Sequence, residues 1–164
     1  MKRRILAAVL TAGMLINWTS ITYAAEPDAV TAQPETAVSA EELEEELYND
    51  SLELLACCVE AEAGNQGIEG KRLVADAVLN RVDNPAYPDN IWDVIMQSYA
   101  GIHQFSVISD GRIYEVEPTE ESFLVVQEEL ERRASYDVLF FTADKWPEYG
   151  TPWKKVGDHY FNTK

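Results

Sequence analysis

Apolar residues recur at intervals of three and four through the second quarter of the chain, a spacing that predicts helices. With 100° per residue and Leu55 at zero, Leu52, Cys58, Val59 and Glu62 fall within about 60°, and Glu60 lies about 140° away. The pattern puts Glu62 on the apolar stripe and Glu60 toward water. Helical character begins at Glu41, and Asn49-Asp50-Ser51 is a candidate break where Asp50 or Ser51 caps a new helix running through Glu62. Gly64 and Gly67 end it. Ile68, Val74, Ala75, Val78, Leu79 and Val82 define a second helix over 68–82, which stops before Pro85 and is expected to share an apolar seam with the first.

Farther along, residues 84–89 form a rigid loop with two prolines, and Asn90 is a candidate cap for a short helix over 91–97. Residues 98–112 read as a long irregular connection, the kind of segment that often carries binding residues. Thr119 caps a further helix with Phe123, Val126, Leu130 and Ala134 on one side and Glu120, Glu121, Glu128, Glu131 and Arg132 on the other. A β-type run at 138–142 is followed by turn residues Pro147, Gly150 and Pro152, then by one returning strand within 154–162. The expected fold is α+β, a mainly helical core with a small two-stranded C-terminal ribbon. Trp92, Trp146 and Trp153 are expected in the core or in a cleft wall.

The first residues change the picture of the mature chain. Met1-Lys2-Arg3-Arg4, an apolar run over 5–16 and Thr22-Tyr23-Ala24 predict a signal peptide over 1–24, with a retained N-terminal anchor as the alternative. Residues 25–40 hold two prolines and no periodicity and are expected to be a disordered acidic linker, leaving 41–164 as one domain. The full chain has 13 Lys+Arg against 29 Asp+Glu, and loss of the leader's three basic residues takes the net charge from −16 to −19. That surface excludes nucleic acid as a partner. The two cysteines, Cys57 and Cys58, are adjacent and cannot form an ordinary disulfide, so no disulfide framework is expected. No loop has calcium-site spacing, there is no Walker loop or zinc signature, and neither a metal nor a cofactor is expected.

The chemistry rests first on Glu62. A carboxyl on an apolar face has a raised pKa and stays protonated near neutral pH, as a general acid must. The alternative is that Glu62 caps the helix end or pairs with an arginine such as Arg72 or Arg81. Hydrolysis of a glycoside normally takes a second carboxylate, for which Asp76 and Asp110 are candidates. A single acid suffices where a sugar hydroxyl itself attacks, as in lytic transglycosylation.

Glu62-Ala63-Gly64, Glu69-Gly70-Lys71, the run from Val74 to Val82 through Leu79-Asn80-Arg81, Tyr87-Pro88, Val94-Ile95, Gln104-Phe105-Ser106 and the closing Gly157-Asp158-His159-Tyr160-Phe161 resemble the cell-wall hydrolase family typified by the spore-cortex-lytic enzyme SleB. The resemblance implies a lysozyme-like α+β fold and cleavage of peptidoglycan by lytic transglycosylation, with the Glu of the Glu-Ala block as acid and base. Counting back from Glu69-Gly70 assigns that role to Glu62. It implies an extracytoplasmic protein whose partner is the glycan strand, and the chain is expected to act as a monomer. Gln104, Phe105 and Ser106 are candidate cleft residues, Phe105 either stacking on a sugar or pinning the loop as a core residue. Asn80, Asp110 and His159 complete the substrate-binding set, though Asn80, Arg81 and His159 read equally as structural hydrogen-bonding residues. Two departures stand out: Asn65-Gln66 occupies a place where family members often carry another acid, and no separate peptidoglycan-binding domain is expected. Spore cortex and vegetative wall therefore stay open as substrates, as do simple muramidase hydrolysis and a non-catalytic wall-binding or regulatory module. A zinc amidase is disfavoured by the presence of only two histidines, His103 and His159.

Overall fold

A computed structural model of the protein describes residues 38–164; the expected signal peptide and residues 25–37 of the expected linker lie outside the described residues. Helix α1 runs unbroken from Ala40 to Ala63. The expected break at 49–51 does not occur, because the helix already has a better start upstream. Ser39 Oγ accepts the Glu42 amide at 3.2 Å and Glu42 Oε2 accepts the Ser39 amide at 2.8 Å, a reciprocal box that satisfies two end donors. Asp50 and Ser51 then continue as interior residues.

Helix α2 (Ile68–Val82) is the centre of the domain, packed by α1, by α5 (Glu120–Glu131) and by strand β3 (Val138–Ala143). Being covered on several sides, it buries polar residues along with its apolar seam, and each has a partner. Lys71 pairs with Glu121 at 2.9 Å and Glu60 at 3.6 Å. Asn80 Nδ2 donates to the carbonyls of Ser135 and Val138, and Arg81 Nε to that of Leu139. These bonds fasten β3 to the end of α2. The expected packing of α1 on α2 is present, with Leu52, Leu55, Cys58, Val59, Val74, Val78 and Leu79 in one buried cluster. Cys58 is a core residue and both cysteines are free.

Asn90 caps α3 (Ile91–Met96) and Thr119 caps α5, as the side-chain chemistry predicts. Helix α5 turns the expected Phe123, Val126 and Leu130 toward the core, together with Ser122, Val125 and Glu129; only Ala134, which lies beyond its end and is exposed, departs from the expected face. The connection 98–112 is less irregular than expected: it holds a two-residue hairpin, β1 (Ser98–Tyr99) with β2 (Ile102–His103), and the short helix α4 (Ser106–Ser109) before the turn Arg112–Tyr114.

The C-terminal ribbon has three strands, not two. The segment expected as one returning strand is divided by a turn at Gly157-Asp158 into β4 (Thr151–Val156) and β5 (His159–Thr163), and β5 lies between antiparallel β3 and β4. Phe141 pairs with Phe161 across the β3–β5 ladder, on the face that meets the helices. Trp92, Trp146 and Trp153 are all exposed and none lines the main cleft, correcting their expected place in the core or a cleft wall.

Candidate active site

A cleft of about 670 Å3 opens between the C-terminal end of α1, the start of α4 and the sheet. Glu62 enters it from the last turn of α1, with Gln104, Phe105 and Ser106 along one side and Thr142, Asp158 and His159 on the sheet side. Glu60, two residues earlier, reaches the same cleft but is bound differently.

Burial pushes the Glu62 carboxyl above the usual carboxylate range, and Asp110 adds to the effect; the Val107 and Ser106 amides and the Arg112 guanidinium oppose it. Glu60 is the reverse. Its Oε2 accepts from Ser122 Oγ at 2.5 Å, Thr119 Oγ1 at 2.8 Å and the Thr119 amide at 3.3 Å. Burial by itself would raise its pKa, yet these hydrogen bonds together with Lys71 hold it below the ordinary value. The helical-wheel expectation that Glu60 faces water is thus corrected, because α5 and the loop before it cover that face. Neither Arg72 nor Arg81 pairs with Glu62: Arg72 pairs with Glu128 and Glu129, and Arg81 with the Leu139 carbonyl, while the Ser106 and Val107 amides at the start of α4 and the Arg112 guanidinium act on Glu62 instead.

Arg112 was not singled out by its sequence context. In the fold its Nη1 donates to the Ala61 carbonyl at 2.9 Å, its Nε to Asp110 Oδ2 at 2.9 Å and its Nη2 to Ser106 Oγ at 3.4 Å. It therefore ties the end of α1 to α4 on either side of Glu62. Its local partner is Asp110, but the contact that brings it to Glu62 is with Ala61, 51 residues upstream.

The other candidates divide. Gln104, Ser106 and His159 line the cleft. Phe105 lines it too but is only 2% exposed, and its ring is covered by Arg81, 5.2 Å away, and Phe141, 6.0 Å away. It pins the loop. Asp110 is exposed, held low by the amide and side chain of Arg112, and is not among the residues lining the cleft. Asn80 lies away from the cleft, its amide spent on Ser135, Val138 and Arg133. Asp76 is likewise remote; burial, with Glu129 beside it, pushes its pKa to about 8. His159 packs edge-on to Phe141 and Phe161, and burial lowers its pKa.

The Asn65-Gln66 departure has a structural use. Gln66 Oε1 accepts the Asp158 amide at 3.0 Å, and its Nε2 donates to Asp158 Oδ2 at 3.3 Å, linking the α1–α2 turn to the β4–β5 turn across the cleft. Gly157 makes this contact possible: its φ is +56°, and a Cβ there would lie 1.9 Å from Gln66 Oε1.

The fold and cleft define an α+β domain that carries one burial-raised carboxyl on a helix end opposite a small sheet. A family model described as Cell Wall Hydrolase matches residues 65–162, and the chain belongs to that family. The match begins just after Glu62. Curated relatives are the spore cortex-lytic enzymes of Bacillus subtilis, 30% identical over 69% of this chain and 37% of the relative, and of Halalkalibacterium halodurans, 33% identical over 56% and 24%. The chain thus spans well under half the length of these relatives. Among solved structures, the catalytic domain of the germination-specific lytic transglycosylase SleB from Bacillus anthracis is similar with a TM-score of 0.59 and 23% identity, over 70% of this chain and 94% of that one. The SleB catalytic domain from Bacillus cereus matches equally well, at 0.59 and 21% identity.

Proposed function

We propose that this chain is an extracytoplasmic lytic transglycosylase that cleaves the bond between N-acetylmuramic acid and N-acetylglucosamine in peptidoglycan. The observation that carries the reading is Glu62: the carboxyl in the cleft whose pKa burial raises, next to a Glu60 held ionised. Protonated Glu62 gives its proton to the glycosidic oxygen as the bond to the muramic C1 breaks. The resulting carboxylate takes the proton of the muramic C6 hydroxyl as that oxygen bonds to C1, which closes a 1,6-anhydro ring and returns Glu62 to its starting state. The names of the similar proteins support peptidoglycan as substrate, and the leader-like residues 1–24 support export.

A second reading draws on Asp144 and Asp158, which also line the cleft on the sheet side. A second carboxylate is what simple hydrolysis requires. Mass spectrometry of fragments released from purified peptidoglycan separates the two, because an anhydro end is lighter by one water than a reducing end. Anhydro fragments from the wild type and none from Glu62→Gln are expected. Reducing ends would replace the mechanism by hydrolysis, and fragments from both proteins would remove Glu62 from it. Binding to insoluble wall without any release would make the domain a binding module.

A further inference from the structure

Beside the main cleft lies a second cavity of about 260 Å3. It shares Arg81, Gln104, Phe141 and Thr142 with the cleft and continues onto Phe140 and Tyr149, so the two form one continuous depression. Its outer rim is the loop 144–150, and that loop is fastened more firmly than a connection between two strands requires. Asn162, fully buried, donates from Nδ2 to the carbonyls of Pro147 at 3.1 Å and Tyr149 at 2.7 Å. The Thr142 hydroxyl donates to the Lys145 carbonyl. Gly150 closes the loop at φ +77°, where a Cβ would lie 2.3 Å from the Thr163 carbonyl oxygen.

What this fixed loop presents is an aromatic ring. Tyr149 is 70% exposed, and its ring lies 6.3 Å from that of Phe140. A ring carried on so firmly held a backbone, at the edge of a polar cleft, offers a flat apolar face with a hydroxyl at its tip. The apolar faces of pyranose rings match such a surface.

We infer that this second cavity is an additional saccharide subsite, in which Tyr149 stacks on an N-acetylhexosamine residue farther along the strand than the bond being cut. The identity of the ligand rests on the muralytic reading of the main cleft. Gln104, common to both cavities, stands at the junction between this residue and the reacting pair. The subsite makes the protein favour long glycan strands over short fragments.

The test is equilibrium binding of peptide-free oligosaccharides of alternating N-acetylglucosamine and N-acetylmuramic acid to the full domain carrying Glu62→Gln, so that nothing is turned over. A disaccharide, a tetrasaccharide and a hexasaccharide are compared. Affinity rises with length; adding Tyr149→Ala removes about three- to tenfold from the longer ligands only, and Tyr149→Phe keeps it. Affinity independent of length, an equal loss at every length, or no loss in Tyr149→Ala would overturn the subsite. Cleavage of the same ligands by the Glu62 protein is followed in parallel. Length-dependent, Tyr149-dependent binding without cleavage would overturn the proposed reaction and leave the subsite standing.

Discussion

Glu60 and Glu62 leave the same final turn of α1 and titrate in opposite directions, the first held low by Ser122, Thr119 and Lys71, the second raised by burial. Two carboxyls driven apart in this way can take different protonation states at one pH. The separation is produced by what packs over each: α5 supplies donors to Glu60, and α4 closes over Glu62.

On the proposed mechanism, the raised pKa of Glu62 sets the alkaline side of the activity profile. An acid must be protonated to act, so the rate falls as pH rises through the Glu62 pKa. Arg112 favours the ionised form, and replacing it with Gln moves this limb to higher pH. The kcat/KM profile of Arg112→Gln against wild type checks it; an unmoved limb would mean that Arg112 does not act on Glu62.

Replacing Glu60 with Gln should destabilise the domain by about 2–3 kcal/mol, because Ser122 and the nearly buried Lys71 lose an ionised acceptor. Because the folded pKa of Glu60 is depressed, its contribution is present above the unfolded value near 4 and is lost as pH falls through the folded one. Urea melts of wild type and Glu60→Gln should therefore converge in acid and separate at neutral pH. Equal separation at all pH values would show that the charge is not the cause.

Asp76 behaves the other way. Its folded pKa, about 8, lies above the unfolded value, so the protonated pair with Glu129 favours folding in acid and stability falls as pH rises from about 4 to about 8. Asp76→Asn keeps an acceptor for the Ser135 amide and gives Glu129 a permanent donor. At pH 8 it should raise the melting temperature by about 3–8 °C, with a smaller gain at pH 5. A variant that melts lower than wild type at pH 8 would sink this account.

Gly157→Ala should cost about 1–3 kcal/mol, since the new Cβ meets both a positive φ and the Gln66 oxygen. Adding Gln66→Ala removes the collision but not the backbone strain, so the double variant recovers part of the loss. Thermal unfolding of the four proteins gives the coupling, and strict additivity would place the whole cost in the backbone.

How much of this was legible beforehand follows from the range of the interactions involved. Period and capping chemistry are local, so α2, the Asn90 and Thr119 caps, the β run at 138 and the apolar placement of Glu62 could all be read from neighbouring residues. The family resemblance extended that reading along nearly the whole domain. What stayed hidden depends on segments far apart in the chain. Glu60 reads as solvated on its own helix and becomes half-buried only because α5 packs beside it with Ser122, 62 residues later. Arg112 has a local partner in Asp110 but reaches the site only when the turn after α4 meets the end of α1 at the Ala61 carbonyl. The third strand was missed because Gly157-Asp158 interrupts a short alternating pattern, and only pairing across the sheet distinguishes one strand from two. Local backbone preference thus determined the elements of this protein, and the desolvation and long-range hydrogen bonds created by packing decided which of its carboxyls is raised above the ordinary range and which is held below it.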